Sequence, residues 1–183
     1  MPKDSFLPTV LDQFYRADQV DLLHVAIANM TEMITAGDID IFLDLAGKTA
    51  AQKKAFLQKI INGIESPELR SALQAKLAED DIEFFRERNL SIMFTALQKE
   101  AERITIVKLQ VAVEFKEKDL KDMVDQLEQQ LGTPVALALK VEHSLIGGAV
   151  VQYGTAIRDY SIRSRLELIR DHWKKASLEG ETA

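Results

Sequence analysis

The apolar residues of this chain change their spacing once, near Arg103, and that change constrains the fold more than any other feature. Before it they recur every three or four positions, the period of a helix with one buried face. After it they alternate, as in a half-buried strand, and then switch between the two periods. The chain therefore reads as α plus α/β: an all-helical bundle over 1–103, then a small α/β domain over 104–183 with a strand-helix-strand-strand pattern and a closing helix. No Pro- or Gly-rich linker separates the parts, so a helix is expected to run directly into the first strand.

In the first part, Asp18 to Ala36 places Leu22, Leu23, Ala26, Ile27, Met30, Met33 and Ile34 in one stripe, with Gly37 as a stop. Ile39, Ile41, Phe42 and Leu43 follow Asp38 and Asp40, a helix start with acids near its positive end. Thr49 and Gln52 match a capping box, in which hydroxyl and amide each satisfy a backbone N–H. Ser66-Pro67-Glu68 combines a cap, a first-turn proline and a first-turn acid. Leu69, Leu73 and Leu77 continue the helical period. So do Ile82, Phe85, Asn89, Met93, Ala96 and Leu97, with a break expected near Asn89-Leu90-Ser91.

In the second part, Val107, Leu109, Val111, Val113 and Phe115 alternate as a first strand. Glu117 to Leu131 returns to helix and ends at Gly132. Val135 to Val141 reads as a second strand. Ile146 to Tyr153, with Gly147 and Gly148 inside it, reads as a third, and Ala156 to Tyr160 as a fourth after a Gly154-Thr155 turn. Ile162 to Ala176 closes as a helix with Ile162, Leu166, Ile169 and Trp173 on one stripe. The tail from Ser177 is expected to fray.

Composition excludes several classes. At 46% hydrophobic and 28% charged, the chain is too apolar for a disordered one. Without cysteine it has no disulfide, thiolate metal site or thiol nucleophile. A net charge of −6 argues against nucleic acid, which needs a surplus of Lys and Arg. No run approaches the roughly 20 apolar residues of a spanning helix, and Met1 to Asp12 resembles neither a secretory signal nor a transit peptide. The expectation is a soluble protein of a prokaryotic cytoplasm.

Chemistry-bearing residues do not assemble into a motif. His24, His143 and His172 stand on three different elements without ligand-spaced neighbours. His143 and Ser144 are adjacent on an expected strand, where side chains diverge. Asp38, Asp40 and Asp44 lack the oxygen ligands and turn glycine of a calcium loop. Gly147-Gly148 lacks the third glycine and following helix of a dinucleotide fingerprint; close backbone approach or a bulge fits better. The basic residues from Arg158 onward are interspersed with Asp159, Glu167 and Asp171, a solvated helix face. No catalytic residue, cofactor or metal is expected.

Two segments carry a family resemblance: Leu145-Ile146-Gly147-Gly148, following the apolar Val135 to Val141 strand, and Asp159-Tyr160-Ser161-Ile162-Arg163-Ser164-Arg165-Leu166 entering the last helix. Together they resemble the C-terminal signature of the delta subunit of F-type ATP synthase, the family that includes the mitochondrial oligomycin-sensitivity-conferring protein. Leu109 to Leu131 and Glu87-Arg88-Asn89-Leu90 are similar more weakly, and the Arg-Tyr-Ala-like opening of many members' first helix is missing.

The resemblance implies a non-catalytic stator subunit of a proton-translocating synthase, peripheral at the cytoplasmic face of a bacterial inner membrane and touching the membrane only through the complex. It implies that 1–103 binds the N-terminal helices of alpha subunits and that 104–183 engages the b subunits of the peripheral stalk. Leu11, Phe14 and Tyr15 are candidates for the head contact, or else core. The signature residues themselves read as structural, with Gly147 and Gly148 permitting a close approach and Ser161 capping the last helix with support from Asp159. The alternative is a free-standing protein–protein adaptor that reuses the fold. Charge divides unevenly: 1–103 hold 12 basic and 17 acidic residues, a net of −5, and 104–183 hold 11 and 12, a net of −1.

Overall fold

The computed structural model of the chain describes the backbone of residues 6–180 and the side chains of residues 6–173. Two compact units meet in sequence between Ile104 and Thr105. The helical part, the sheet that follows and the closing helix agree with the α plus α/β reading.

The first unit consists of α1 (Phe6–Leu11), α2 (Ala17–Thr35), α3 (Asp38–Asp44), α4 (Ala50–Asn62), α5 (Pro67–Ala78), a 3-10 turn (Ile82–Phe85) and α6 (Glu87–Ala101). Local chemistry starts most of these helices. Thr49 Oγ1 accepts from Gln52 N at 3.3 Å while Gln52 Oε1 accepts from Thr49 N at 3.0 Å, the reciprocal box that opens α4. Ser66 Oγ accepts from Leu69 N at 3.3 Å and opens α5, with Pro67 in its first turn. The starts of α3 and α6 satisfy each other: Asp40 Oδ1 accepts from Glu87 N at 3.2 Å, and Glu87 Oε1 accepts from Asp40 N at 3.0 Å.

The core forms where α2 packs on α6 and α4 on α5. Leu23, Ile27, Leu57, Ile61, Leu69, Leu73, Phe94 and Leu97 are all buried there. The expected break at Asn89-Leu90-Ser91 is displaced. It falls at Arg86, which is extended between the 3-10 turn and α6, while Asn89 to Ser91 lie inside α6. Asp81 Oδ1 accepts from Phe84 N to start the turn, and Asn89 Nδ2 reaches back to Glu83 O at 2.7 Å without interrupting the helix.

The second unit consists of β1 (Thr105–Val111), α7 (Glu117–Leu131), β2 (Val135–Val141), a 3-10 turn (His143–Leu145), β3 (Ala149–Tyr153), β4 (Ala156–Asp159) and α8 (Ile162–Gly180). The sheet order is β2-β1-β3-β4. β1 and β2 run parallel with Val107 opposite Leu137, which requires the crossover that α7 supplies. β3 is antiparallel to β1 and to β4. α7 packs on β2, and its Leu120 and Val124 are buried, as are Val107, Leu109, Val111 and Leu137 on one face of the sheet.

Three sequence expectations are corrected here. β1 stops at Val111, the last residue paired with β2, so Val113 and Phe115 keep the alternating period outside any ladder and are exposed. β3 starts at Ala149, so Gly147 and Gly148 precede the strand, and His143 stands on a 3-10 turn. α8 continues past Ala176 to Gly180; the rest of the expected frayed tail, 181–183, lies outside the described residues.

Candidate functional site

The residues capable of chemistry are committed to local structure. His143 Nδ1 lies 2.9 Å from Ala112 O, and Ser144 Oγ donates to Glu142 Oε1 at 2.7 Å rather than turning to His143. That bond, a second from the Ser144 N–H, and Lys140 hold the Glu142 carboxyl below the usual carboxylate range. Asp40 caps α6, and Asp44 accepts from Arg86 at 2.6 Å, so the acidic group at α3 is spent on helix starts and an ion pair. Among the described residues no group of three or more His, Asp or Glu side chains is placed to hold a metal ion, and no helix is long and apolar enough to cross a membrane. A shallow groove on the open sheet face is lined by Lys108, Gln110, Lys140, Val150, Gln152 and Ile157; it pairs no nucleophile with a base.

The signature segments meet where β4 turns into α8. Gly148 has φ +76°, and a Cβ there would collide with the backbone carbonyl oxygen of Tyr160. A Cβ on Gly147 would lie 2.6 Å from Ile162 Cδ1. Gly148 therefore lets one backbone lie against another, and Gly147 leaves room for the Ile162 side chain, with no bulge inside a strand. Tyr160 N donates to Ala149 O at 2.8 Å, and Ile162 N to Gly147 O at 2.9 Å, which fastens the junction. Ser161 is 1% exposed, and its Oγ accepts from Ser164 N at 3.1 Å, a cap on α8. Asp159 Oδ1 in turn accepts from Ser161 N at 2.7 Å. Bonds from the Ser161 hydroxyl and N–H hold the Asp159 carboxyl below its ordinary range.

The rest of the signature divides between inside and outside. Leu145 is buried. Ile146 has φ +67°, in the left-handed region that a β-branched residue rarely enters, and its side chain is 64% exposed. Arg163 pairs with Glu167 at 3.1 Å on the outer surface of α8. Arg165 and Leu166 are exposed as well. Leu11, Phe14 and Tyr15 do not form a surface: Phe14 and Tyr15 are buried in the bundle, and Leu11 is half-buried.

Two helix faces expose apolar residues instead. On α2 the buried face comprises Leu23, Ala26, Ile27, Met30 and Ile34, while Leu22, Val25 and Met33 form a second apolar stripe that stays 38–49% exposed. The two stripes are about 110° apart at 100° per residue. Leu22 and Met33 are thus not core, as the single-stripe reading placed them. α6, which packs on α2, exposes Ile92 at 62%. In the second unit, α8 exposes Ile162, Leu166, Ile169 and Trp173, the residues of its single stripe. An apolar arc wider than the neighbours cover is the signal that finds these residues from sequence; α2 carries it in Leu22, Val25 and Met33.

Comparison with known proteins decides the family. The model of the ATP synthase delta (OSCP) subunit family matches residues 15–172. The chain belongs to the ATP synthase delta (OSCP) family. Its relatives include the ATP synthase subunit delta of Lawsonia intracellularis, 27% identical over 90% of this chain and 85% of the relative. That of Desulfovibrio desulfuricans is 27% identical over 68% of this chain and 67% of the relative. That of Moorella thermoacetica is 29% identical over 79% and 89%. A chain of a Toxoplasma gondii mitochondrial ATP synthase hexamer is similar at 14% identity and a TM-score of 0.37, covering 94% of this chain and 97% of that one, a likeness too loose to bear on fold or function. The family match runs through both units and includes the Gly147-Gly148 and Asp159-to-Leu166 segments.

Proposed function

We propose that the chain is a non-catalytic stator subunit in the peripheral stalk of a proton-translocating F-type ATP synthase. The observation that carries the reading is a family match spanning both units, each of which exposes an apolar helix face among the described residues. The first unit receives the N-terminal helices of alpha subunits against the exposed residues of α2 and α6, in the manner of an amphipathic helix docking on an apolar surface. The second unit engages the b subunits through α8. The subunit thereby joins the catalytic head to the membrane sector and keeps the head from turning with the rotor. It sits at the cytoplasmic face of a bacterial inner membrane and reaches the membrane only through the complex.

The work is mechanical, so it needs slow dissociation under load. Slow dissociation comes from buried apolar anchors rather than from rim charges. Leu22, Val25 and Ile92 on one unit, and Leu166, Ile169 and Trp173 on the other, are the anchors available. The test is capture from detergent-solubilised membranes of the native host with tagged chain. Co-purification of alpha, beta and b subunits is expected; a folded bait that captures none of them overturns the proposal.

A further inference from the structure

α8 carries more information than an apolar stripe. Ile162, Leu166, Ile169 and Trp173 are spaced four, three and four apart, the spacing of d and a positions in a heptad seam. At 100° per residue they fall within an arc of about 60°. They are 44%, 50%, 54% and 75% exposed. In this register Arg163 and Arg170 occupy the e positions on one side of the seam. Arg165 and His172 occupy the g positions on the other side. The two acids in the same stretch, Glu167 and Asp171, fall at b and f on the back of the helix. Both sides of the seam are thus lined by basic residues.

We propose that α8 is the cationic half of a heterotypic coiled coil, whose partner is an amphipathic helix with an apolar a/d seam and Glu or Asp at its e and g positions. The inference rests on the stalk reading for which subunit supplies that helix, and on α8 for its chemistry. Interhelical e and g contacts set partner choice in coiled coils. A second copy of this chain would bring Arg165 against Arg170 in a parallel arrangement, and Arg163 against Arg170 in an antiparallel one that matches the whole seam; like charges disfavour both. Arg163 pairs with Glu167 at 3.1 Å and Arg170 with Asp171 at 3.2 Å along α8 itself. Exposed pairs of this kind are weak and exchange readily for a partner's carboxylates.

Trp173 is the chain's single tryptophan, so its emission reports burial of the seam. The full chain is titrated with two synthetic heptad helices that differ only at e and g, Glu in one and Lys in the other. The Glu helix is expected to shift Trp173 emission to the blue and to bind about tenfold or more tightly than the Lys helix, with the gap narrowing as salt rises. The Arg163→Glu, Arg165→Glu, Arg170→Glu triple variant changes only exposed side chains and should reverse the order. Equal binding of both helices, binding of neither, an unreversed order in the triple variant, or self-association of the free chain through α8 would each overturn the proposal. The two readings fail separately. If the triple variant captures b subunits from membranes as well as wild type does, the coiled coil is wrong and the stalk reading stands. If wild type captures no synthase subunit but prefers the Glu helix, the stalk reading is wrong and the coiled coil stands.

Discussion

At the residue scale, the family signature is a joint. Gly148, in the left-handed region, lies against the Tyr160 carbonyl, and Ser161 behind it starts α8. Gly148→Val would add a β-branched side chain at positive φ and a collision with backbone, a cost of about 3 kcal/mol or more. Urea unfolding should show loss of the second unit's transition or its shift to low denaturant; a wild-type midpoint would contradict the account. Ser161→Ala removes a cap and should cost about 1 kcal/mol. Asp159 adds a pH dependence with a definite sign. Its folded pKa is depressed below the unfolded value of about 3.9, so its contribution is complete above that value and is lost as pH falls through the folded one. The stability difference between wild type and Asp159→Asn should therefore shrink below about pH 4 in urea titrations run at successive pH values.

At the element scale, the period of a helix reveals which side is apolar but not whether anything covers it. Thr49 with Gln52, and Ser66 with Pro67, were legible in the sequence because a cap is made by neighbours in the chain. The bounds of α7 were legible for the same reason, with Gly132 ending it in the left-handed conformation. The exposure of α8 was not, since Ile162 to Trp173 has the spacing of a core stripe and only the fold shows that these residues stay 44–75% exposed. The end of β1 at Val111 depends on where β2 stops pairing, which alternation through Phe115 cannot register. The joint at Gly148 needed the fold, because its partner Tyr160 is distant in sequence. A pair of truncations separates the two kinds of stripe. Leu97→Ala, in the bundle core, should cost about 2–5 kcal/mol in denaturant unfolding. Leu166→Ala, half exposed on α8, should change stability by less than about 1 kcal/mol while weakening capture of b subunits. Equal destabilisation by both would mean that α8's stripe is covered within the chain.

At the scale of the whole molecule, the proposed stator role gives each of two units of different charge its own contact. The acidity lies mostly in the first, with a net of −5 over 1–103 against −1 over 104–183. Under the proposed stator role a basic helix from an alpha subunit would complement it, and that contact should then associate more slowly and bind less tightly as salt rises through the physiological range, as surface plasmon resonance with a synthetic alpha N-terminal peptide would record. Independence from salt would remove charge from the account of the head contact and leave the apolar faces of α2 and α6 to carry it.

The central claim is that the two contacts are separable, one on each unit, with the chain as the link. Membrane capture with two single variants tests it most directly. Val25→Asp, on the exposed stripe of α2, should lose the soluble alpha and beta subunits while retaining b. Leu166→Asp, on α8, should lose b while retaining alpha and beta. If each variant, verified as folded by circular dichroism, loses both sets together or retains both, the chain is not a link built in this way.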